Sequence, residues 1–187
     1  NFLKKILNNK KFDLTDFGCG AGHFLKVCRK SKIKCKGYEF NGNSVDLGNK
    51  FLKANIINKV RIDGIYDEIA KSETKVISLL GVIEHLKYPN KVFDSFKKSS
   101  SSYMFFSVPL SSFTVLVEHA FPNVFPRLLG GVHNNLYTER SIKFTMNKYK
   151  FKIIGEWWFG SDMLGLMRSM LYNSKNKNNK SYLEYFD

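Results

Sequence analysis

Short apolar runs alternate with amphipathic stretches along this chain, and the alternation predicts a sheet with helices between its strands. The apolar runs predict strands near residues 12–16, 34–39, 59–62, 75–81, 103–108 and 150–158. The amphipathic stretches predict helices at 22–30, 43–55, 66–70 and 90–98. A Thr138-x-x-Ser141 pattern predicts the start of another helix, which ends near Lys148. Strands that alternate with helices are typical of an α/β fold with a mainly parallel sheet.

A glycine-rich turn follows the first predicted strand. Asp16 ends the apolar run, and Gly18, Gly20 and Gly22 occupy alternate positions after it. Glycine has no β-carbon, so the backbone can turn sharply there and leave room for a ligand. An acid, Glu39, ends the second predicted strand 23 residues after Asp16. An acid at this place can accept hydrogen bonds from both hydroxyls of a ribose.

The glycine spacing narrows the class of nucleotide that this turn can bind. Dinucleotide folds carry Gly-x-Gly-x-x-Gly, and triphosphate-binding loops end in Gly-Lys followed by Ser or Thr. The turn at 16–22 has neither pattern. The sequence therefore predicts a nucleoside cofactor without a pyrophosphate.

Residues 16–25 resemble the first motif of class I S-adenosylmethionine-dependent methyltransferases, and Glu39 matches the ribose-binding acid of that superfamily. The segment 76–86 ends in Glu-His-Leu before Pro89, which resembles the fourth strand of the small-molecule branch. Residues 103–109 resemble the fifth strand. The resemblance implies a three-layer Rossmann-like fold with a mainly parallel sheet, and S-adenosylmethionine as the cofactor.

The resemblance also implies an organisation for the chain. We expect a single methyltransferase domain over 1–187, although the seventh strand of that fold is missing from the pattern. Residues 110–137 stand where the superfamily places a substrate-covering insertion, and they are predicted to form a lid. Residues 173–181 are polar and low in complexity, which predicts a mobile loop. The chain starts abruptly at Asn1 within a helical pattern, so we expect it to be part of a longer protein.

The cofactor residues follow from the motifs that match. Asp16 and the glycines are expected at the methionine end of the cofactor, and Glu39 at the ribose. Leu80 and Gly81 are expected near the reacting methyl, while Asp63 can reach the exocyclic amine of adenine. The full set of expected cofactor-binding residues is Asp16, Gly18, Cys19, Gly20, Gly22, Glu39, Phe40, Asp63, Leu80 and Gly81.

The sequence contains fewer motifs that indicate how the methyl acceptor is bound. Methyl transfer from a sulfonium mainly requires alignment and exclusion of water, and a hydroxyl nucleophile also benefits from a general base. His85 and His133 are candidate bases, and a structural role is the alternative for each. His133 also precedes an aromatic-Thr pattern that resembles a helix start of the family. No paired ligand spacing requires a metal. The expected acceptor-binding residues are Glu84, Asn134, Tyr137, Trp158 and Asp162.

A cluster of aromatic residues indicates the subfamily. The run 157–162, Trp-Trp-Phe-Gly-Ser-Asp, precedes an apolar helix predicted at 163–171 and resembles methyltransferases of bacterial capsule and lipopolysaccharide synthesis. Aromatic faces beside a carboxylate suit an activated sugar, whereas packing at a sheet edge is the alternative for either tryptophan. The expected function is methylation of a hydroxyl on a small polar acceptor. A quinone-type O-methyltransferase and a catalytically silent cofactor-binding module are the alternatives.

The net charge and the cysteine content do not change the predicted function. The net charge of +14 would suit nucleic acid, but 25 lysines and only 5 arginines are scattered through every segment. We therefore expect a solvated basic surface and no nucleic-acid partner. The thiols of Cys19, Cys28 and Cys35 lack metal-ligand spacing and are interpreted as reduced, which predicts a cytoplasmic protein. No apolar run is long enough to span a bilayer, no leader is apparent, and the oligomeric state stays open.

Overall fold

The computed structural model describes residues 2–120 and 133–158, together with position 167. The chain divides into two compact units, Asn1–Val108 and Pro109–Asp187. The boundary falls one residue before the predicted lid. The predicted loop at 173–181, the helix expected at 163–171 apart from position 167, and Asp162 lie outside the described residues.

The first unit is built on a five-stranded sheet in which every neighbouring pair is parallel. The strands lie in the order β3-β2-β1-β4-β5. This arrangement confirms the predicted α/β fold with a parallel, Rossmann-like sheet. The strands are β1 (Asp13–Phe17), β2 (Lys34–Glu39), β3 (Ile57–Lys59), β4 (Val76–Leu80) and β5 (Tyr103–Ser107).

Helices follow the strands as the hydrophobic pattern predicts. The segment before β1 is helical as well, and a short 3₁₀ turn at Ile83–His85 follows β4. The helices of the first unit are α1 (Phe2–Ile6), α2 (His23–Lys30), α3 (Gly42–Leu52), α4 (Ile65–Ala70) and α5 (Asn90–Lys98). The helix bounds agree with the predicted ones to within one residue, except that α3 ends three residues early. The third strand was predicted at 59–62, but β3 begins at Ile57 and ends at Lys59.

The centre of the sheet carries the core of the first unit. Leu14 and Phe17 of β1, with Ile77 and Leu79 of β4, are fully buried. All residues of 14–17 and 76–79 are buried, which is typical of strands that are covered on both faces. The strand order reverses between β1 and β4, so their carboxyl ends form the crevice where ligands bind in open α/β sheets.

The second unit contains two described helices, α6 (Phe113–Ala120) and α7 (Glu139–Tyr149). Helix α7 begins as predicted, with a reciprocal cap. Thr138 Oγ1 accepts a hydrogen bond from the Ser141 backbone N–H at 3.0 Å, and the Thr138 N–H donates to Ser141 Oγ at 2.9 Å. Helix α6 lies within the predicted lid, and no helical signal was recognised there from the sequence.

The strand predicted at 150–158 is wrong. Lys150 has a left-handed backbone, with φ of 58°, and ends α7, and residues 151–158 form neither helix nor strand. The side chains of 152–158 are exposed. An apolar run becomes a strand only when a neighbouring strand supplies its hydrogen bonds, and none of the described strands pairs with this run.

Within the described ranges, no helix combines the length and the apolar character needed to cross a membrane.

Candidate functional site

The glycine turn connects β1 to α2 and is fixed by hydrogen bonds to the end of β2. The backbone N–H groups of Gly18 and Cys19 both donate to the Tyr38 carbonyl oxygen, at 2.8 and 3.1 Å. The Gly20 N–H donates to Glu39 Oε2 at 2.7 Å. Gly18 and Gly20 have φ values of 72° and 53°, in the left-handed region that favours glycine. The turn is therefore held at the carboxyl edge of the β1–β2 pair.

One side of this turn is packed and the other is open. A β-carbon on Gly18 would lie 2.4 Å from Val82 Cγ2, and one on Gly22 would lie 2.8 Å from Leu52 Cδ1. A β-carbon on Gly20 would meet no atom within 4 Å. A ligand can therefore approach the backbone of the turn from the Gly20 side.

Glu39 ends β2 and receives two backbone hydrogen bonds. Its Oε2 accepts from Gly20 and its Oε1 accepts from the Asn41 N–H at 3.0 Å. The residue is only 8% exposed. An ionised carboxylate offers about four lone-pair sites, so two acceptor sites remain beyond the two that the backbone uses. This acceptor set fits the two hydroxyls of a ribose.

Asp16 lies on β1, next to the turn, in a different environment. It is 3% exposed and accepts one hydrogen bond from Ser78 Oγ at 2.6 Å. Burial raises the pKa of Asp16 to about 7, although the Ser78 hydrogen bond lowers it, and the charge of Glu39 adds to the rise. A cationic group nearby would favour the ionised form, which fits the ammonium group at the methionine end of the predicted cofactor.

Gly81 ends β4 at the same edge of the sheet. Its N–H lies 3.1 Å from the Ser107 carbonyl oxygen and 3.2 Å from Ser107 Oγ, both acceptors on β5. Its φ of 66° turns the chain sharply after Leu80. Because Val82 contacts the glycine turn, the end of β4 lies against the loop that follows β1.

Glu84 and His85 follow on the 3₁₀ turn. The Glu84 side chain is buried, whereas the His85 side chain is 39% exposed. His85 Nε2 lies 4.0 Å from Glu84 Oε1. A β-carbon on Gly81 would lie 3.7 Å from the same Glu84 oxygen, so this carboxylate is near the end of β4. The pair can act as an accessible base with a buried carboxylate beside it.

Two residues predicted to contact adenine have different positions. Phe40 directly follows Glu39 and is half-buried. Asp63 is exposed in the turn before α4, where its Oδ1 lies 3.2 Å from Arg61 Nε. The hydrogen bond from Arg61 lowers the pKa of Asp63. The contacts of both residues with adenine stay predictions.

The remaining candidates belong to the second unit. His133 and Tyr137 are half-buried and Asn134 is exposed. The Tyr137 carbonyl oxygen accepts a hydrogen bond from the Ser111 N–H at 2.6 Å. Trp158 is 56% exposed. Their roles toward an acceptor stay predictions, as does that of Asp162, which lies outside the described residues.

Two residues that contact Asp16 and Glu39 were missed by sequence reasoning. Ser78 lies opposite Asp16 in the register of β1 and β4, and a single sequence does not give that register. Asn41 donates its N–H to Glu39, and its side chain caps α3 by accepting from Asn43 and Ser44. An asparagine directly before a helix was a readable capping signal.

Three solved structures that resemble this fold are described as methyltransferases. An S-adenosylmethionine-dependent methyltransferase from Archaeoglobus fulgidus is 15% identical, with a TM-score of 0.56 over 94% of this chain and 86% of that chain. The magnesium protoporphyrin IX methyltransferase of Synechocystis PCC 6803, solved with bound SAH, is 14% identical, with a TM-score of 0.66 over 86% and 73%. A possible histamine N-methyltransferase from Thermotoga maritima is 13% identical, with a TM-score of 0.57 over 81% and 72%. At these identities, the likeness establishes the fold.

The family assignment comes from a comparison of sequence. A family model described as a methyltransferase domain matches residues 1–156, which is most of the chain. A search of curated proteins found no match. The family and the fold support S-adenosylmethionine as the cofactor, as the sequence predicts. The chain belongs to the methyltransferase domain family and has the fold of class I S-adenosylmethionine-dependent methyltransferases.

Proposed function

We propose that this protein transfers a methyl group from S-adenosylmethionine to a hydroxyl group of a small polar acceptor. The proposed setting is surface-polysaccharide biosynthesis in the cytoplasm, with an activated sugar as the acceptor. The main support for cofactor binding is the hydrogen bond that the Gly20 N–H donates to Glu39, beside the open side of the glycine turn. We assign the chain to one methyltransferase domain with a lid at 110–137.

In this proposal, different residues of the first unit bind different parts of the cofactor. Glu39 holds the ribose with the acceptor sites that its two backbone donors leave, and Asp16 faces the cationic methionine end. The backbone at Gly20 approaches the ligand because no β-carbon stands in the way. When bound, the cofactor supplies a methyl carbon on a positively charged sulfur that leaves as a neutral thioether. Cys19, Gly22, Phe40, Asp63, Leu80 and Gly81 complete the proposed binding set.

His85 is the proposed general base. Its half-exposed imidazole takes the proton of the acceptor hydroxyl as the oxygen forms its bond to the methyl carbon. The buried Glu84 carboxylate, 4.0 Å from Nε2, stabilises the imidazolium that results. Proton transfer of this kind contributes typically about 100-fold to 10,000-fold to a rate. His133 is the second candidate for the same role.

A polar acceptor is favoured by the residues available to bind it. Asn134 offers amide hydrogen bonds and Tyr137 a hydroxyl, and the exposed ring of Trp158 offers a face on which a sugar can stack. Asp162 completes the proposed acceptor set, together with Glu84. A quinone-type acceptor would instead need a mainly apolar binding surface.

The acceptor class is tested by measuring release of S-adenosylhomocysteine with panels of nucleotide-linked sugars and of quinols. Turnover of sugars alone is expected. Turnover of quinols alone would assign the quinone-type reaction, and binding of cofactor without turnover of any acceptor would assign a silent module.

The base is tested by replacing His85 with glutamine. The expected loss in kcat is about 100-fold or more, with unchanged affinity for S-adenosylhomocysteine, since the residue acts on the acceptor. His119→Gln, which changes an exposed histidine of α6, is the matched control. If His133→Gln loses the activity and His85→Gln keeps it, the base is His133.

A further inference from the structure

A shallow opening lies at the amino edge of the sheet, opposite the edge that carries the glycine turn. Its volume is about 440 Å³. Lys34 begins β2 and Ile56 directly precedes β3, so the opening lies where these strands start. Three of its side chains are cationic, and one is a thiol. The lining residues are Arg29, Lys32, Ile33, Lys34, Cys35 and Ile56.

The thiol of Cys35 meets a second thiol on α2. The Cys35 Sγ donates to the Leu25 carbonyl oxygen at 3.6 Å, and Leu25 is three residues before Cys28, on the same face of the helix. Cys28 belongs to the buried core of the first unit, and Cys35 packs against the same core. The Ile33 N–H donates to the Cys28 carbonyl oxygen at 2.9 Å and closes the turn that joins α2 to β2. These contacts place the two cysteines at neighbouring positions of α2 and β2, across a short, hydrogen-bonded connection.

The two thiols differ in exposure and acidity. Cys28 is buried, and its hydrogen bond to Cys35, together with burial, raises its pKa. Cys35 is half-buried and lines the opening. The hydrogen bond from Cys28 lowers the pKa of Cys35, and the Arg29 charge lowers it further. Cys35 therefore loses its proton first, and the reactive thiolate is the sulfur that solvent can reach.

We propose that Cys35 and Cys28 form an oxidisable thiol pair whose reaction partner is an anionic small-molecule disulfide. The Cys35 thiolate attacks one sulfur of that disulfide, which forms a mixed disulfide and releases one thiolate. Cys28 then gives up its proton and attacks the Cys35 sulfur, which forms the Cys28–Cys35 bond and releases the second thiolate. The protein loses two electrons, and the small disulfide is reduced to two thiolates.

The charge at the opening selects the partner. Arg29, Lys32 and Lys34 surround the thiolate and attract an anion. The Arg29 guanidinium also donates to the Leu52 carbonyl oxygen at 2.6 Å, which fixes it at this edge. The resulting bond would join α2, which follows the glycine turn, to β2, which ends in Glu39.

The test titrates the native protein with dithiobis-nitrobenzoate, an anionic aromatic disulfide whose released thiolate absorbs light. We expect two equivalents of thiolate per chain in the fast phase and a Cys28–Cys35 linkage in non-reducing peptide mapping. Cys19 is expected to lag because burial raises its pKa to about 12. A fast phase of one equivalent that leaves a stable mixed disulfide would overturn the proposal, as would a linkage between other cysteines.

Variants separate the roles of the two thiols. Cys28→Ala should release one equivalent rapidly and keep the mixed disulfide, whereas Cys35→Ala should lose the fast phase. A pair of alkyl disulfides with similar leaving groups isolates the charge: anionic dithiodipropionate should react about 10-fold faster than neutral dithiodiethanol with the wild-type chain, and Lys34→Gln should narrow that difference. Lys71→Gln, at an exposed lysine elsewhere, is the control. Equal rates for both alkyl disulfides would overturn the assignment of an anionic partner. If a variant fails to fold, peptide mapping of the wild-type protein still tests whether Cys28 and Cys35 form the bond.

Discussion

Two acids lie near the carboxyl ends of neighbouring strands, and their surroundings differ. Glu39 accepts two backbone N–H groups, which fix both of its oxygens. Asp16 accepts one hydroxyl, from Ser78, and burial raises its pKa to about 7. Both residues are buried, so burial alone does not distinguish them.

The difference lies in what each carboxylate can do near neutral pH. The backbone donors at Glu39 come from the glycine turn and from the residue before α3, so this acid is a fixed acceptor at the proposed ribose position. Asp16 has fewer donors, and its charge depends on pH and on whether a cation lies beside it. The first acid therefore suits neutral hydroxyls and the second suits an ammonium group.

The largest expected effect is on stability at Asp16. Its folded pKa of about 7 is above the ordinary value of 3.8, so the folded state binds the proton more tightly than the unfolded state does. The stabilisation from this proton is complete below pH 3.8 and is lost as the pH rises to about 7. The shift corresponds to about 4 kcal/mol at most. Asp16→Asn should flatten this part of the curve of unfolding free energy against pH, measured by urea denaturation.

A matched variant isolates that effect. Asp46 is an exposed aspartate on α3, and Asp46→Asn should leave the pH dependence as in the wild type. If Asp16→Asn and Asp46→Asn give the same curves, Asp16 does not titrate with a raised pKa and the contrast between the two acids is lost.

The second effect is on cofactor affinity at Glu39. In Glu39→Gln, the negative charge is lost and the amide NH₂ faces a backbone donor, either Gly20 or Asn41. Loss of hydrogen bonds to a charged acceptor should weaken binding of S-adenosylhomocysteine by about 100-fold. Titration calorimetry measures the change, with Glu73→Gln at an exposed acid as the control. Unchanged affinity in Glu39→Gln would contradict the placement of the ribose.

A smaller effect is expected from the backbone of the turn. Gly20→Ala adds a methyl group that meets no protein atom, but the φ of 53° is strained for alanine and the methyl points to the open side. We expect about a 10-fold loss of affinity for S-adenosylhomocysteine, which corresponds to about 1.4 kcal/mol. Gly64→Ala is the control because Gly64 has a φ of −83° and its nearest neighbour would be 3.5 Å away. Equal affinities in the two variants would indicate that the open side is not where the ligand lies.

The smallest effect is expected at Ser78. Its hydroxyl lowers the pKa of Asp16, so Ser78→Ala should move the Asp16 part of the stability curve to higher pH. The unfolding free energy at high pH, where Asp16 is ionised, should fall by about 1 kcal/mol. An unchanged curve would show that the Ser78 hydrogen bond does not set the acidity of Asp16.

Local patterns predicted the fold and the backbone geometry of the glycine turn well. The glycine turn, the acid at Glu39 and helix α5 depend on backbone geometry and periodicity, which a single sequence records directly. The partner of Asp16 depends on the register between β1 and β4, which no local pattern encodes. The segment 150–158 is rich in apolar residues, but none of the described strands pairs with it. Its composition alone therefore gave a wrong strand prediction.

Calorimetric titration of the wild-type chain with S-adenosylhomocysteine tests the central claim most directly, because it needs no knowledge of the acceptor. The arrangement of Glu39 and the glycine turn predicts one-to-one binding, with the affinity lowered in Glu39→Gln. Absence of binding by a sample that unfolds cooperatively in urea would contradict the assignment of the cofactor to this edge of the sheet.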